Sequence, residues 1–275
     1  MFRAQTTRPT RLKTGFEFLE QIHHATARNL RKSHGNAVYG MMMNVLQAAL
    51  ILALFVVMFD FRGMRRLSIS RADFILFVMS GVFMFLTHTK ALGAVSSADA
   101  PASPMMMHAP MNPVIAVTSA ALASLYQQTF AACVILLFYH TLMTPITIHD
   151  PVGMMGMYLL SWFSGAAIGL IFYAAKPWQP DFVGMLALVY QRLNMIASGK
   201  MFVANMASAK LRSWFEWNPL YHTIDQGRGY TFLNYHPRYT SIDYPVYAAL
   251  ICILIGLMAQ FFTARYASAS WGKRR

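Results

Sequence analysis

The chain has 275 residues, of which 56% are hydrophobic and only 12% are charged. Soluble domains carry about 25% charged residues, so this composition excludes an ordinary soluble enzyme. The formal net charge of +13 fits nucleic acid, an anionic membrane or an anionic substrate as partner. Because the basic residues gather in tails and loop ends, nucleic acid is excluded and the charge is typical of cytoplasmic flanks of membrane helices.

Residues 1–36 form a basic tail in which we predict an amphipathic interface helix. Leu12, Phe16 and Leu19 recur at spacings of three and four, which places them on one helical face. A helix with such a stripe and basic ends lies flat on the cytoplasmic membrane surface or docks on a partner. The pattern leaves both roles open.

Six apolar runs follow, each long enough to cross the roughly 30 Å hydrocarbon core as a helix of about 20 residues. They predict an all-α integral membrane protein with one transmembrane domain over 37–265 and a short basic tail at 266–275. Both basic tails are expected in the cytoplasm, although the arginines of 62–71 would then face outward. The six spans are predicted near 38–59, 73–90, 113–141, 153–175, 182–206 and 243–264.

Two connections between these spans stand out by composition. Residues 91–112 contain small residues and prolines, followed by Met105, Met106, Met107 and His108, and are expected on the cytoplasmic side. Residues 207–242 form a long external connection that is rich in Trp, Tyr and His. The rest of the domain consists of spans joined by shorter turns.

No catalytic motif is found in the sequence. There is no phosphate-binding loop, no G-x-S-x-G and no His spacing that would hold a metal on one helix. We therefore expect that the chain hydrolyses no ATP itself and holds no metal or cofactor. The histidines are expected to be structural hydrogen-bonding groups.

Polar and aromatic residues inside or beside the spans are the candidate pathway residues. Arg192 and Lys200 fall in the predicted fifth span, where a charge costs several kcal/mol unless it faces water, a partner or a cavity. They indicate either a path for an anion or a span that ends early, near 198, so that both side chains reach the membrane surface or pair. Trp162 and Trp217 either stack on sugar rings or belong to interfacial aromatic belts.

A resemblance is found around the end of the fifth span. Ser198-Gly199 is followed by Trp214-Phe215-Glu216-Trp217-Asn218-Pro219-Leu220-Tyr221-His222 and then by Asp225 and Arg228. This pattern resembles the permeases of type-2 ABC exporters, especially those of capsular polysaccharide, O-antigen and teichoic acid. Gly256-Leu257 in the last span also resembles the capsule branch. Lys200, and Ala207-Ser208 in place of Leu-Pro, depart from the family pattern.

The resemblance implies a homodimeric pore in the bacterial inner membrane, with each copy bound to a separate ATP-binding subunit that holds ATP and Mg²⁺. Residues 98–112 would form the coupling helix that docks on this subunit, and 207–242 would form re-entrant gate helices. A periplasmic co-polymerase and an outer-membrane export channel would complete the path of an acidic, lipid-linked polysaccharide. The implied pathway residues are Arg192, Lys200, Trp162, Trp217, His222, Asp225 and Arg228.

Three alternatives remain open at this stage. The substrate could be teichoic acid or another lipid-linked molecule. The chain could be a membrane-embedded sugar or acyl transferase, which requires a catalytic acid or His facing a cavity. It could also be a structural membrane anchor, in which case changing Arg192 or Lys200 would have little effect. Asp225 and Arg228 could likewise pair with each other and hold the gate helices.

Overall fold

A computed structural model of the chain describes residues 11–32, 36–61, 73–98 and 112–271. Its described secondary structure is entirely helical. The α-helices are α1 (Arg11–Lys32), α2 (Ala37–Phe61), α3 (Phe74–Ser96), α4 (Pro113–Leu142), α5 (Pro151–Ala175), α6 (Pro180–Ala197), α7 (Ala209–Ser213), α8 (Pro219–Thr231) and α9 (Asp243–Trp271). A short 3₁₀ turn, Ala204–Met206, lies between α6 and α7.

Five of the described helices, namely α2, α3, α4, α5 and α9, are long and apolar enough to cross a membrane. The prediction of an all-α, multi-pass membrane protein is thereby confirmed. The helix at the fifth predicted span, α6, is not among the five and ends at Ala197, short of the predicted boundary at 206. A sixth span therefore stays a prediction. The Met-rich part of the predicted coupling segment, including Met105, Met106, Met107 and His108, lies outside the described residues.

Several helix starts are fixed by a short polar side chain followed directly by proline. Asn112, Asp150 and Asn218 each accept a hydrogen bond from a backbone N–H of the first turn, and Pro113, Pro151 and Pro219 follow them. The side-chain oxygen satisfies an otherwise unpaired N–H, while proline has no N–H of its own to satisfy and already has helical φ. The same chemistry thus starts α4, α5 and α8.

Helix α3 lies at the centre of the bundle and contacts α2, α4, α5, α6 and α8. Its closest neighbour is α5, where Gly165 touches the backbone of His88 so closely that any side chain would collide with it. The imidazole of His88 bonds to Ser164 Oγ (3.1 Å) on α5 and to Tyr190 OH (3.2 Å) on α6. Small residues and buried polar bonds are the usual means of packing helices within membranes.

Helix α1 packs on the bundle with one face and exposes the other. Ala25 and Thr26 are buried, and Asn29 Nδ2 donates a hydrogen bond to Ser119 Oγ on α4 (3.0 Å). The predicted apolar face, by contrast, leaves Phe16 and Leu19 exposed. One face therefore holds α1 to the protein, while the apolar face is free to contact lipid or a partner.

Candidate functional site

The segment that joins α6 to α9, residues 198–242, is called here the α6–α9 connection. It begins at a sharp turn at Gly199, whose φ of 70° lies in the left-handed region. A Cβ at this position would lie 2.5 Å from Cδ2 of Tyr221. Glycine is therefore required here both by the backbone conformation and by the approach of α8.

The side chain of Arg228 on α8 holds this turn through hydrogen bonds to the backbone of the turn. Its Nη1 donates hydrogen bonds to the carbonyl oxygens of Gly199 (3.1 Å) and Phe202 (2.7 Å), and its Nη2 donates to that of Lys200 (2.6 Å). The guanidinium also lies over the ring of Phe77 on α3, with 4.0 Å between its carbon and the ring centroid. Only 1% of Arg228 is exposed, so its guanidinium stabilises the fold and is not accessible to a ligand.

Asp225, one turn before Arg228, is bound by hydroxyl groups. It accepts hydrogen bonds from Tyr235 OH and from Thr240 Oγ1, the latter at 2.8 Å. Burial raises the pKa of the Asp225 carboxyl, while these two hydrogen bonds and the nearby Arg228 oppose the rise. Within the described residues no direct ion pair joins Asp225 to Arg228. Both residues hold the connection together, but through separate partners.

The imidazole of His222 is fully engaged by backbone groups. The N–H of Ser241 donates to Nδ1 (3.1 Å), so the proton lies on Nε2, which donates to the carbonyl oxygen of Glu216 (2.8 Å). Burial lowers the pKa of His222, which favours this neutral form. The arrangement favours a structural role for His222 over acid–base catalysis.

Lys200 is buried by aromatic rings. Its Nζ donates to the carbonyl oxygen of Met195 (2.5 Å) and lies 3.6 Å from the ring centroid of Phe85 and 5.0 Å from that of Phe55. The side chain is 1% exposed. These contacts favour a role in which Lys200 fastens the end of α6 to α2 and α3.

The two predicted tryptophans have different surroundings. Trp162 is half-buried, and its Nε1 donates to the carbonyl oxygen of Ala121 on α4 (2.9 Å). Trp217 is 50% exposed, and its Nε1 donates to the carbonyl oxygen of Trp214, which is also exposed. Trp217 and its neighbour Trp214, in the α6–α9 connection, therefore offer exposed indole faces to an outside ligand.

A second region is a cavity of about 920 Å³, called here the cationic cavity, between α1, α2, α3, α4 and α6. It is lined by polar side chains and by small residues of α3 and α4 that leave room between the helices. Its polar lining comprises Arg28, Asn29, Gln47, Thr89, Lys90, Ser97, Ser119, Ser124, Gln127, Gln191 and Arg192. Arg192 is thus the predicted pathway residue that lines the cavity.

Lys90 lies where the cationic cavity meets a second, smaller cavity of about 440 Å³ beside α2. Its Nζ donates a hydrogen bond to Gln47 Oε1 on α2 (2.7 Å). Close by, Asn44 Nδ2 donates to the carbonyl oxygen of Gln127, and Gln128 Nε2 donates to Asn44 Oδ1, both at 3.0 Å. A row of amide groups therefore links α2 and α4 along the cavity.

The charged residues that line the cationic cavity are all positive. Arg28, Lys90 and Arg192 come from three different helices, and none of the lining residues that the structure describes is acidic. Sequence reasoning missed Lys90 because it stood at the predicted end of the second span, and it counted Arg28 with the basic tail. The signal for Lys90 was a lysine within an apolar helical run that continues to Ser96.

Known proteins give no further guide to the site. No protein-family model matches the chain, and no curated protein is significantly similar to it in sequence. In the described part of the chain, no group of three or more His, Cys, Asp and Glu side chains is placed to hold a metal. Fold and apolar composition define the class as a multi-pass, all-α membrane protein.

Proposed function

We propose that this chain is the membrane-spanning permease subunit of an ATP-driven exporter that moves a polysaccharide across the bacterial inner membrane. The observation that carries the proposal is the cationic cavity. A space of about 920 Å³, lined by charged, amide and hydroxyl groups as well as by apolar side chains, lies between apolar helices. A hydrated polymer needs such a lining, with groups that bind weakly at many positions so that the chain can move on.

In this proposal α6 crosses the membrane as the fifth of six spans, and both termini are cytoplasmic. An 18-residue helix extends about 27 Å, close to the thickness of the hydrocarbon core. The cationic cavity then faces the cytoplasm, because it is lined by the last turns of α3 and the first half of α4. The α6–α9 connection lies at the periplasmic side, where the exposed Trp214 and Trp217 offer stacking surfaces to sugar rings.

Helices α7 and α8 form the re-entrant gate in this arrangement. The contacts of α8 reach well along α3, because Gly227 approaches Met84 and Arg228 approaches Gly81. In the same last turns of α8, the carbonyl oxygens of Tyr230 and Thr231 accept backbone hydrogen bonds from the segment before α5. These contacts support a helix whose C-terminal end is packed into the bundle, as a re-entrant gate requires.

The proposed assembly contains two copies of this chain and two copies of an ATP-binding subunit. Helix α1 is the interface helix, and 98–112 is the coupling segment. ATP-driven closure of the partner subunits would shift α1 and the coupling segment as a rigid-body switch. A periplasmic co-polymerase and an outer-membrane channel receive the polymer. The sequence pattern from Ser198 to Arg228 is the basis for this choice of partners.

The test is to isolate the tagged chain from its native membrane in mild detergent and identify what accompanies it. We expect a stoichiometric ATP-binding subunit with ATPase activity. Deletion of the chain should leave polysaccharide inside the cell and none on the surface. Isolation without such a subunit, together with unchanged surface polysaccharide, would refute the proposal. Transferase activity of the purified chain on lipid-linked sugars would establish the enzyme alternative in its place.

A further inference from the structure

We propose that the cationic cavity binds an oxyanion of the translocated chain, a carboxylate or a phosphate, between Lys90 and Arg192, with Arg28 at the rim. The inference rests on the proposed function, because it names the chemical group that the pathway recognises. It places anion recognition at Lys90 rather than at Lys200. Neutral sugars would lack the group that these cations bind.

The first argument is convergence. Lys90 comes from α3, Arg192 from α6 and Arg28 from α1, yet all three line one cavity. Like charges that share a partly enclosed space repel one another and are costly within apolar surroundings. Since the described lining contains no carboxylate to balance Lys90 and Arg192, an anionic ligand is the group that neutralises their charge.

The second argument is the free donor capacity of Lys90 and Arg192. A lysine ammonium has three N–H donors, and that of Lys90 makes one described hydrogen bond, to Gln47. The side chain of Arg192 is exposed, and a guanidinium can bind a carboxylate or phosphate through two parallel hydrogen bonds. Hydrogen bonds of this charge-assisted kind are about twice as strong as neutral ones.

The third argument is the contrast with the buried cations of the α6–α9 connection. Lys200 and Arg228 are each 1% exposed, and their nitrogens donate to backbone carbonyls. A ligand would have to displace those carbonyls from either side chain. Lys90 and Arg192 face the cavity instead, so an anion can reach them without disrupting the fold.

Around the cations the lining is suited to sugar hydroxyls. Gln127 and Gln191 contribute amide groups, and Ser119 and Ser124 contribute hydroxyl oxygens that accept hydrogen bonds. The volume of about 920 Å³ lies within the usual range for sites that hold a small molecule. An acidic sugar unit is therefore held by its charge and oriented by its hydroxyls.

The test uses the full-length chain in nanodiscs of neutral phosphatidylcholine. Binding is measured for a fluorescent hexasaccharide that alternates glucuronate and N-acetylglucosamine, and for neutral maltohexaose. We expect the acidic probe to bind at least about tenfold more tightly, since one charge-assisted hydrogen bond corresponds to about that factor. Lys90→Gln and Arg192→Gln should each weaken acidic binding about tenfold and leave maltohexaose binding unchanged.

Matched controls separate the cavity from general surface charge. Lys210→Gln and Arg238→Gln remove the same charges at exposed positions of the α6–α9 connection and should bind the acidic probe like the unchanged chain. Lys90→Arg keeps the charge and should retain most of the affinity. If Lys90→Gln fails to fold, Arg192→Gln decides the question, because its side chain is exposed.

A competition experiment identifies the source of the oxyanion. Displacement of the probe by inorganic pyrophosphate at the lower concentration assigns the site to a phosphate, and displacement by free glucuronate assigns it to the sugar. Either result upholds the site. Equal binding of acidic and neutral probes, no binding of either, or unchanged acidic binding in both Gln variants overturns it. The assay needs neither ATP nor export. Those failures would therefore not refute the permease proposal, which is tested by isolating the ATP-binding subunit.

Discussion

The α6–α9 connection and the cationic cavity both contain positive side chains in largely apolar surroundings, yet they use them differently. In the connection, Arg228 and Lys200 donate to backbone carbonyls and lie against aromatic rings. In the cavity, Lys90 and Arg192 line a space of about 920 Å³. Depth alone therefore does not identify a pathway residue. What matters is whether the charged group is enclosed by the protein or faces a space that a ligand can enter.

The largest expected effect is the loss of the Arg228 clamp. Arg228→Met removes the guanidinium from three carbonyl oxygens that it bonds, which should lower the free energy of unfolding by about 3–5 kcal/mol. The thermal midpoint, followed by tryptophan fluorescence in detergent, should fall sharply. Arg238→Met, at an exposed position, is the control and should stay within about 0.5 kcal/mol. Equal stability of the two variants would show that Arg228 is not a structural cation, contrary to the contrast drawn between the α6–α9 connection and the cationic cavity.

The turn at Gly199 should give the next largest loss. Gly199→Ala forces an alanine to φ 70° and drives its Cβ against Tyr221, at a cost of about 2–3 kcal/mol. Gly184→Ala in α6 is the matched control, because nothing lies within 4 Å of its Cβ position and alanine favours a helix. We expect a lower midpoint for Gly199→Ala only. A midpoint equal to that of Gly184→Ala would mean that the turn is easily rearranged.

The tryptophans sharpen the comparison further. Trp162→Ala removes a half-buried indole and its bond to Ala121, so a loss of about 2 kcal/mol is expected. Trp217→Ala removes an exposed ring and should change stability by less than about 1 kcal/mol. If Trp217 stacks on sugar, export should nevertheless decline in that variant. Normal export from Trp217→Ala would show that Trp217 does not contact the exported sugar.

The smallest change in stability is expected for Arg192→Gln. Its side chain is exposed and faces the cavity, so the free energy of unfolding should stay within about 0.5 kcal/mol. Removing the charge should slightly reduce repulsion from Lys90. Circular dichroism and the thermal midpoint would check this, beside export of the polymer. A large loss of stability would show that Arg192 is structural like Arg228.

Sequence patterns predicted the helical part of the fold because hydrophobic length is a local property. The predicted span at 113–141 corresponds to α4 at Pro113–Leu142, and the one at 153–175 to α5 at Pro151–Ala175. Proline after a polar cap also marks several helix starts. The end of α6 at Ala197 agrees with the alternative of an early end near 198 and not with the predicted boundary at 206, because it depends on Gly199 and on contacts with α8.

Candidate site residues were harder to predict, since their roles depend on distant partners. Arg192 and Lys200 lie only eight positions apart, yet one lines the cavity and the other is buried against Phe55 and Phe85. Lys90 was missed because it stood at the predicted end of the second span, whereas α3 continues to Ser96. No local pattern distinguishes a charge that faces a cavity from one that is bound to a carbonyl.

The central position of α3 has a consequence for how the protein is made. In the strongest apolar window of α3, 83% of the residues are buried inside the protein, against 22% for α2 and 17% for α9. Hardly any of α3 therefore meets lipid in the finished fold, although its composition suits a membrane. During synthesis, however, each helix enters the bilayer as a separate segment before the helices associate. The apolar surface of α3 thus serves this insertion step, and a polar substitution there would hinder biogenesis even where the folded protein could accommodate it.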